Sequence, residues 1–440
     1  MPVPETPVAL RHVRTPDGRR LDLELRTGRI SRVLPAGTLS ESPGTLDLGG
    51  RILLPAGAEP HAHLDKAYSY DRIRPRHGDL LTAIDSWCAY RQQMSEADVV
   101  GRARRAVEAL LANGTTAVRS HVDLLDGPDP LLGVRALVRV REEVAGLMDI
   151  QLAALGTDRT PSRVYEAALD AGVDLIGGAP HLAAEPLPEV RRLVGLARRR
   201  GVGIDLHTDE SLDGVDTLDT YASLVAGWPP HTVSTSAGHC VRLGMMAPAD
   251  RRPVIEKVVR AGIGIITLPI TNLYLQGWDQ QVAVPRGLTA VTDLVEAGAV
   301  VGAGADNVRD PFNPLGRSDF LETAMLLVAA AHVSIPTAVD LATNGGRRVM
   351  GLEPVTFEPG SPADFVAVAG DSLEDVVAEA PGDRLTIRAG TVVARRRTKV
   401  SIATPTIPDR AASHLSRTPL AICPSEEIHP CQTPSPHRSR

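Results

Sequence analysis

Residues 53–66, LLPAGAEPHAHLDK, carry the pattern that decides the fold. An apolar run ends there in His61 and His63, and the two-residue period of a β-strand points both imidazoles to one side. Two neutral imidazoles that converge at the C-terminal end of a strand form half of a divalent-ion site, and in barrels that end is the catalytic one. The pair alone is weak evidence, because two core histidines would give the same pattern.

Seven further runs of this kind follow, apolar or punctuated by glycine, and segments of helix length separate them. Segments such as 96–112, 187–200 and 247–261 place apolar residues at i, i+3 and i+4, with arginines on the other face. Eight such units predict an α/β fold, a (β/α)8 TIM barrel. The runs end near residues 61–63, 119–123, 156, 180–181, 207–210, 238–239, 269 and 306.

The two ends of the chain predict a second, smaller domain. Residues 8–54 have the pattern of short strands, and the strand-like segments 362–368 and 385–393 follow the barrel. These strands cannot bury both of their faces alone, so we expect a small β-sandwich domain formed from both terminal regions. The expected boundaries are 1–54 and 351–398 for the two parts of the β domain, 55–350 for the barrel, and 399–440 for a disordered tail rich in Pro and Ser.

Composition excludes several classes of protein. Aromatic residues make up only 3% of the chain, so the core must consist of Val, Leu, Ile and Ala, which favours an α/β fold. A net charge of −6 provides no basic face for nucleic acid. The four cysteines are scattered, and no stretch approaches the roughly 18 uninterrupted apolar residues of a membrane span. We expect a cytoplasmic protein with neither nucleic acid nor a membrane as partner.

Three later runs end in residues of the same chemistry as the first. Residues 205–210, DLHTDE, place His207 three positions before Glu210, residues 236–239 end in His239, and residues 302–307, GAGADN, contain Asp306. Four histidines and an aspartate thus end strands one, five, six and eight, whereas histidines without a shared role would be scattered among helices and loops. We expect these side chains to meet at the C-terminal mouth of the barrel.

The segments PHAHLDK, HTDE, SAGH and GADNVRDPFNPLG resemble the amidohydrolase superfamily, in particular its cytosine deaminase branch. The similarity extends over residues 5–395 and includes GSPADFVAV and RAGTVV in the returning β domain. The resemblance implies that Glu210 is a proton shuttle, that His239 and Asp306 orient the attacking water, and that Gln276 touches the substrate. It also implies one divalent metal ion per chain, zinc or iron, with the ligands His61, His63, His207 and Asp306.

Elementary chemistry agrees with these roles. Such an ion lowers the pKa of a bound water from about 15.7 toward about 7, which makes hydroxide available for attack. The ring nitrogen and the departing amine must then each gain a proton, and a carboxyl group near the ion, such as Glu210, suits that transfer. The alternative for Glu210 is a surface carboxylate at the start of a helix.

A single ion is expected because the lysine that bridges two ions in binuclear relatives is missing. Of the three lysines, Lys66, Lys257 and Lys399, none ends strand four. His121 and His181 are then predicted to support the ligands or to line the pocket, and the alternative is that they are plain core histidines.

Two departures from the cytosine deaminase pattern concern the substrate. Thr157 stands where that branch has an amide that contacts the pyrimidine ring, and Asn307 replaces the second of two aspartates. The run DNVRD is closer to triazine aminohydrolases of the N-isopropylammelide isopropylamidohydrolase type. We therefore expect Thr157, Gln276, Asn307 and His181 to bind a substrate other than cytosine.

The sequence thus predicts a metal-dependent hydrolase that removes an exocyclic amino or alkylamino group from a small-molecule nitrogen heterocycle. Two alternatives stay open: a cyclic amidohydrolase that opens a ring amide, and a non-catalytic barrel that binds a small molecule. The deaminase class with a PCxxC zinc motif is excluded because the motif is absent. The sequence leaves open whether the chain forms a homo-oligomer.

Overall fold

The computed structural model describes residues 6–228 and 233–402. Within this part, the residues up to Thr398 form one compact unit. Of the tail expected to be disordered, 399–440, only residues 399–402 lie within the described part. No helix in the described part is long and apolar enough to cross a membrane.

The strands fall into two sheets. Their bounds are β1 (Ala9–Arg14), β2 (Arg20–Arg26), β3 (Arg29–Pro35), β4 (Thr45–Asp47), β5 (Ile52–Pro55), β6 (Gly57–Ala62), β7 (Thr115–Asp123), β8 (Asp149–Gly156), β9 (Leu175–Gly178), β10 (Gly203–Thr208), β11 (Thr235–His239), β12 (Gly264–Thr267), β13 (Val301–Ala303), β14 (Phe365–Val368), β15 (Arg384–Arg388) and β16 (Thr391–Arg396).

Helices connect most of these strands. Their bounds are α1 (Tyr70–Ile73), α2 (Leu80–Arg91), α3 (Glu96–Ala112), α4 (Leu132–Glu143), α5 (Ser162–Asp170), α6 (Pro186–Arg200), α7 (Thr217–Val225), α8 (Val241–Met245), α9 (Pro248–Ala261), α10 (Pro269–Leu275), α11 (Val291–Glu296), α12 (Phe320–Leu326), α13 (Ile335–Asp340), α14 (Gly346–Val349) and α15 (Leu373–Glu379), with shorter helical turns at Pro180–Leu182, Leu327–Ala331 and Leu341–Gly345.

Strands β6 to β13 form the predicted barrel. They pair in parallel in chain order. A parallel bridge between Ala62 and Asp306 joins the segment that follows β13 to β6. In β7, Val118 and Val122 pack in the apolar layer beneath the helices, while Arg119 and the residues at period two from it face the barrel interior. The alternation therefore places polar side chains inside the barrel.

The mixed sheet combines both ends of the chain, as the sequence predicts. Its order is β16-β15-β14-β5-β1-β2-β3, with β4 paired to β1. Strand β14 is antiparallel to β5, with Phe365 opposite Pro55 and Val368 opposite Ile52. Hydrogen bonds join all of these strands into one continuous sheet whose apolar cluster includes Leu53. The domain boundaries at residues 54 and 350 stay a prediction.

The sequence-based bounds hold closely for the long helices and less well near the end of the chain. Segment 96–112 is α3, and segments 187–200 and 247–261 each differ from α6 and α9 by one residue at the first position. Segment 385–393, expected as one strand, is instead divided between β15 and β16 by a turn at Ala389 and Gly390, which both have positive φ. Helices α1 and α2, inserted between β6 and α3, were not anticipated.

Candidate active site

Three of the predicted metal ligands converge from opposite sides of the barrel. His61 lies in β6, His63 directly follows that strand, and His207 lies near the end of β10. Nε2 of His207 is 3.1 Å from Nε2 of His61 and 3.2 Å from Nε2 of His63. All three rings are buried. Their Nε2 atoms therefore face one point at the C-terminal mouth.

Asp306, which follows the last barrel strand β13, adds a carboxylate to this group. Its Oδ1 lies 3.2 Å from Nε2 of His63 and 3.8 Å from Nε2 of His61. The backbone of Asp306 has φ of 65°, and that of His239, at the end of β11, has φ of 66°. Left-handed backbone at non-glycine residues is uncommon and costs on the order of 1–3 kcal/mol, and it clusters at functional sites.

The donor set fits a divalent cation. Neither carboxylate oxygen of Asp306 has a hydrogen-bond partner among the residues described. Burial raises the pKa of Asp306 well above its usual range, and other buried carboxylates nearby add to the shift. Burial lowers the pKa of the three imidazoles, which keeps them neutral as metal binding requires. The ligand atoms of His61, His63 and Asp306 all lie within 4.8 Å of one another.

Glu210 lies between two imidazoles outside this group of donors. Its Oε2 is 3.5 Å from Nε2 of His181 and its Oε1 is 3.6 Å from Nδ1 of His239. Burial acts to raise the pKa of Glu210, but the adjacent His239 and His181 outweigh that effect, so the pKa lies below its usual value. Glu210 is therefore a carboxylate at neutral pH, buried and next to the predicted ligands.

His239 is held between the two carboxylates. Its Nδ1 contacts Oδ1 of Asn272 at 3.3 Å, and its Nε2 lies 3.9 Å from Oδ2 of Asp306. Burial lowers the pKa of His239, so the ring is neutral near pH 7. A neutral imidazole in this position has one nitrogen available toward the predicted ion site.

A cavity of about 900 Å³, counting its opening to solvent, leads to these groups. His63, His207, Glu210, His239 and Asp306 line it. His61 and the side chains of the barrel interior lie beneath. The cavity therefore connects the converging donors with the outside of the barrel mouth, as a substrate channel requires.

The four predicted substrate residues occupy different depths. Thr157 and Asn307 line the cavity. Thr157 is exposed at the mouth, while Nδ2 of Asn307 donates to Oδ2 of Asp310 at 2.7 Å. Gln276 is buried and donates from Nε2 to the main-chain oxygen of Glu210 at 2.7 Å. Nε2 of His181 lies 3.5 Å from Oε2 of Glu210. Their roles in substrate binding stay a prediction.

Sequence reasoning missed a polar cluster next to His63. Lys66 lies 3.3 Å from Nδ1 of His63 and donates to Oδ1 of Asp123 at 2.6 Å. Asp123 Oδ2 also accepts a hydrogen bond from Nε1 of Trp87 at 2.7 Å. The position of Lys66, three residues after His63, could have indicated this cluster from the sequence. Trp87 lies on α2, which was not anticipated, and no sequence pattern links it to the site.

A second cluster lies deeper in the barrel. Arg119 donates to Oδ2 of Asp205 at 2.8 Å, and His121 lies 3.7 Å from Oδ1 of the same carboxylate. The ring of His121 is centred 4.3 Å from that of His61. His121 is thus buried behind a predicted ligand. Two features of the sequence could have indicated this cluster. One is the polar residues at every second position of β7, and the other is Asp205, two positions before His207.

Fold and site together define a catalytic (β/α)8 barrel with histidine and carboxylate groups at its mouth. The sequence profile of the amidohydrolase family matches residues 90–394, and this chain belongs to that family. A pterin deaminase of Rhizobium rhizogenes is 30% identical over 86% of this chain and 88% of its own length. Relatives of this kind are deaminases and amidohydrolases, so the chain is a hydrolase that acts on carbon–nitrogen bonds.

Two solved structures resemble the chain in both fold and sequence. The 5-methylcytosine deaminase of Klebsiella pneumoniae superposes with a TM-score of 0.82 at 26% identity, covering 90% of this chain and 99% of that one. The N-isopropylammelide isopropylaminohydrolase of Burkholderia multivorans has a TM-score of 0.76 at 30% identity, covering 88% and 98%. The predicted barrel, the appended β domain and the family are thereby confirmed.

Proposed function

We propose that this protein removes an exocyclic amino or alkylamino group from a small nitrogen heterocycle by hydrolysis, using one divalent ion of zinc or iron. The observation that carries the proposal is the carboxylate of Asp306, which is buried without a hydrogen-bond partner in the described chain and faces converging imidazoles. The relatives named above are named for pterin, 5-methylcytosine and N-isopropylammelide, which are all nitrogen heterocycles.

The ligands proposed for the ion are His61, His63, His207 and Asp306. When bound, such an ion polarises a water molecule and brings its pKa from about 15.7 toward about 7. The neutral imidazoles provide nitrogen donors, and the Asp306 carboxylate provides the negative charge that a closed, desolvated site lacks. The same carboxylate is a poor fit to a metal-free site, because burial then raises its pKa well above the ordinary range.

Glu210 is proposed to move the protons. Its carboxylate form prevails at neutral pH, so Oε1 or Oε2 is able to accept a proton from the attacking water. The resulting carboxylic acid then donates to the ring nitrogen, and Glu210 carries the second proton of the former water, from the hydroxyl group now on the ring carbon, to the departing amine. His181 and His239 flank the carboxyl group, with ring nitrogens 3.5 and 3.6 Å from its two oxygens.

His239 is proposed to orient the attacking water. The contact of its Nδ1 with Asn272 fixes the ring, and its Nε2 is directed toward Asp306. Both residues are buried, which excludes bulk water and strengthens the electrostatic interactions between these groups. Gln276, through the main chain of Glu210, is proposed to position that residue in addition to contacting substrate.

A substrate panel tests the proposal. Purified protein is incubated with amino-substituted pyrimidines, triazines, pteridines and cyclic guanidines, and released ammonia or alkylamine is measured together with product mass. We expect amine release and a product in which oxygen replaces the exocyclic nitrogen. A ring-opened acid with no released amine would instead establish the cyclic amidohydrolase alternative, and binding of these compounds without turnover by metal-loaded protein would refute the proposal.

A further inference from the structure

Helix α2 forms a wall of the cavity that the proposed chemistry does not use. Leu80, Ile84, Trp87, Cys88 and Arg91 all line the cavity. Their spacing along the helix places them on one face. Neighbouring Leu81, on another face of the same helix, is 66% exposed to solvent. The cavity-lining face is therefore mostly apolar and ends in a guanidinium group.

Other elements extend this apolar surface. Leu124 follows β7, Leu155 lies in β8 and Leu182 ends the helical turn after β9, and all three line the same cavity. The indole of Trp87 is held by its hydrogen bond to Asp123, and only 2% of the residue is exposed. A rigid, apolar extension of a catalytic cavity is suited to a flat group beyond the ring that reacts.

Arg91 supplies a polar group in this extension. Only 9% of its side chain is exposed. Its guanidinium donates to Asp126, and Nη1 lies 3.9 Å from Oδ2 of Asp123. Its Nε has no hydrogen-bond partner within residues 6–228 and 233–402. The residue nevertheless lines the cavity, so a hydrogen-bond acceptor on a ligand there would meet a positively charged guanidinium group.

We propose that the α2 face is a specificity subsite for a second ring, fused or attached to the ring that reacts. The second ring packs against Ile84 and Trp87, and a nitrogen or oxygen acceptor on its far edge contacts the guanidinium group of Arg91. The subsite rests on the proposed function for the identity of the reacting group. Its physical basis, an apolar helix face continuous with the cavity that contains Glu210, is independent of the mechanism.

Isocytosine and pterin provide a matched pair of probes, because both contain the same 2-amino-4-oxopyrimidine ring and only pterin has a second ring. We expect kcat/KM for pterin to exceed that for isocytosine by about 10-fold or more, the range that added apolar groups supply in fitted pockets. Ile84→Trp should fill the subsite, lowering kcat/KM for pterin about 10-fold while leaving that for isocytosine within about twofold. Leu81→Trp, on the exposed face, is the control and should alter neither value.

Arg91 is tested separately. Arg91→Met should lower kcat/KM for pterin about 10- to 100-fold and leave that for isocytosine within about twofold, in line with the loss of one hydrogen bond to a charged donor. Arg139→Met, at an exposed position of α4, is the matched control. Equal effects of Ile84→Trp on both probes, or of Arg91→Met on both probes, would show that α2 serves only as structure and would overturn the subsite.

A readout without turnover separates the subsite from the proposed function. Cys88 lines the subsite, so pterin, but not isocytosine, should slow its alkylation by iodoacetamide, followed by mass spectrometry of the peptide that contains Cys88. Protection by pterin without released ammonia would support the subsite and contradict aminohydrolase activity on this ring. Ammonia release from both compounds at similar kcat/KM, with no protection of Cys88, would support the activity and overturn the subsite.

Discussion

The barrel mouth and the mixed sheet are both built from β-strands but bury opposite kinds of side chain. At the mouth, Asp306 and His239 have left-handed backbone, and Asp306 is buried with no hydrogen-bond partner in the described chain. In the sheet, Phe365, Leu53 and Ile387 are buried in an apolar cluster between regularly paired strands. The mouth thus contains groups that lower stability unless a ligand binds, whereas the sheet contributes stability.

This difference predicts which property each region controls. Substitutions at the mouth should change activity and metal content more than stability, because the buried polar groups there are only partly compensated. Substitutions in the sheet should change stability and leave the kinetics of folded protein unaltered. The predictions below test that separation in order of decreasing effect.

Removal of the metal should have the largest effect. Protein stripped by a chelator is expected to lose activity by a factor of about 10⁴ or more, because the polarised water is lost, and about one equivalent of zinc or iron per chain should restore it. Asp306→Ala should show the same loss with reduced metal content by elemental analysis. Full activity in stripped protein would refute the proposed function, and two equivalents per chain at full activity would refute the single site.

Glu210→Gln should retain the metal and lose catalysis. The amide preserves the shape of the side chain but is unable to carry a proton, so kcat/KM should fall by about 10²- to 10⁴-fold. His207→Ala is the comparison variant and should lose metal as well as activity. A metal-free Glu210→Gln protein would identify Glu210 as a ligand and the assignment of roles as wrong.

Phe365→Ala tests the sheet. The side chain is fully buried and its ring stacks 5.6 Å from that of Phe357, so truncation should lower the free energy of unfolding by about 3–5 kcal/mol. At a temperature where the variant is folded, kcat/KM should stay within about twofold of the unmodified protein. Phe365→Leu should show the same kinetics with a smaller loss by denaturant titration. A large kinetic defect in folded Phe365→Ala would show that the two regions are coupled.

The sequence predicted the elements that repeat and the residues that end them. Eight apolar runs located all of the barrel strands, and the period of two placed His61 and His63 on one side. Family resemblance supplied roles that spacing alone does not give, such as that of Glu210. The convergence of His207 with the first pair depends on barrel closure, which follows from the count of units and not from any single segment.

Other features were beyond sequence reasoning because they depend on tertiary contacts. Helix α2 has only Ala83 and Trp87 fully buried, so its pattern resembles neither a core helix nor a strand. Asn272 contacts His239 from a short helix that begins with Pro269, and no local pattern marks that contact. The hydrogen bond between Asn307 and Asp310 likewise forms inside a loop.

Cytosine should be a poor substrate. Thr157 is exposed at the cavity mouth, so it is unable to replace a buried amide that would pair with the pyrimidine carbonyl, a loss of about 1–3 kcal/mol. Asn307 in place of an aspartate also removes a negative charge beside the ring. The measurement is kcat/KM on cytosine, an alkylamino-triazinedione and a cyclic guanidine at one pH. Cytosine turnover near about 10⁵ M⁻¹s⁻¹, within the range of native substrates, would contradict this interpretation.

The smallest effect concerns the cap that begins the α2 wall. The side chain of Asp79 accepts hydrogen bonds from the backbone N–H of Thr82 at 3.0 Å and from its hydroxyl at 2.6 Å. Burial alone would raise the pKa of Asp79, but the bonds from Thr82 and the contact with His77 outweigh it and lower the pKa to about 2. Asp79→Ala should therefore cost about 1 kcal/mol near pH 7, as for other N-cap residues.

The pH dependence of that cap follows from the direction of the shift. Because the pKa is lowered on folding from 3.8 to about 2, the stabilisation by Asp79 is fully present above about pH 4 and is lost as the pH falls through about 2. The difference in melting temperature between the unmodified protein and Asp79→Ala should be constant from pH 7 to about 4 and shrink below it. Ser334→Ala removes an N-cap that does not titrate, so its effect should not change over that range. A difference for Asp79→Ala that persists undiminished toward pH 2 would show that the cap acts without its charge.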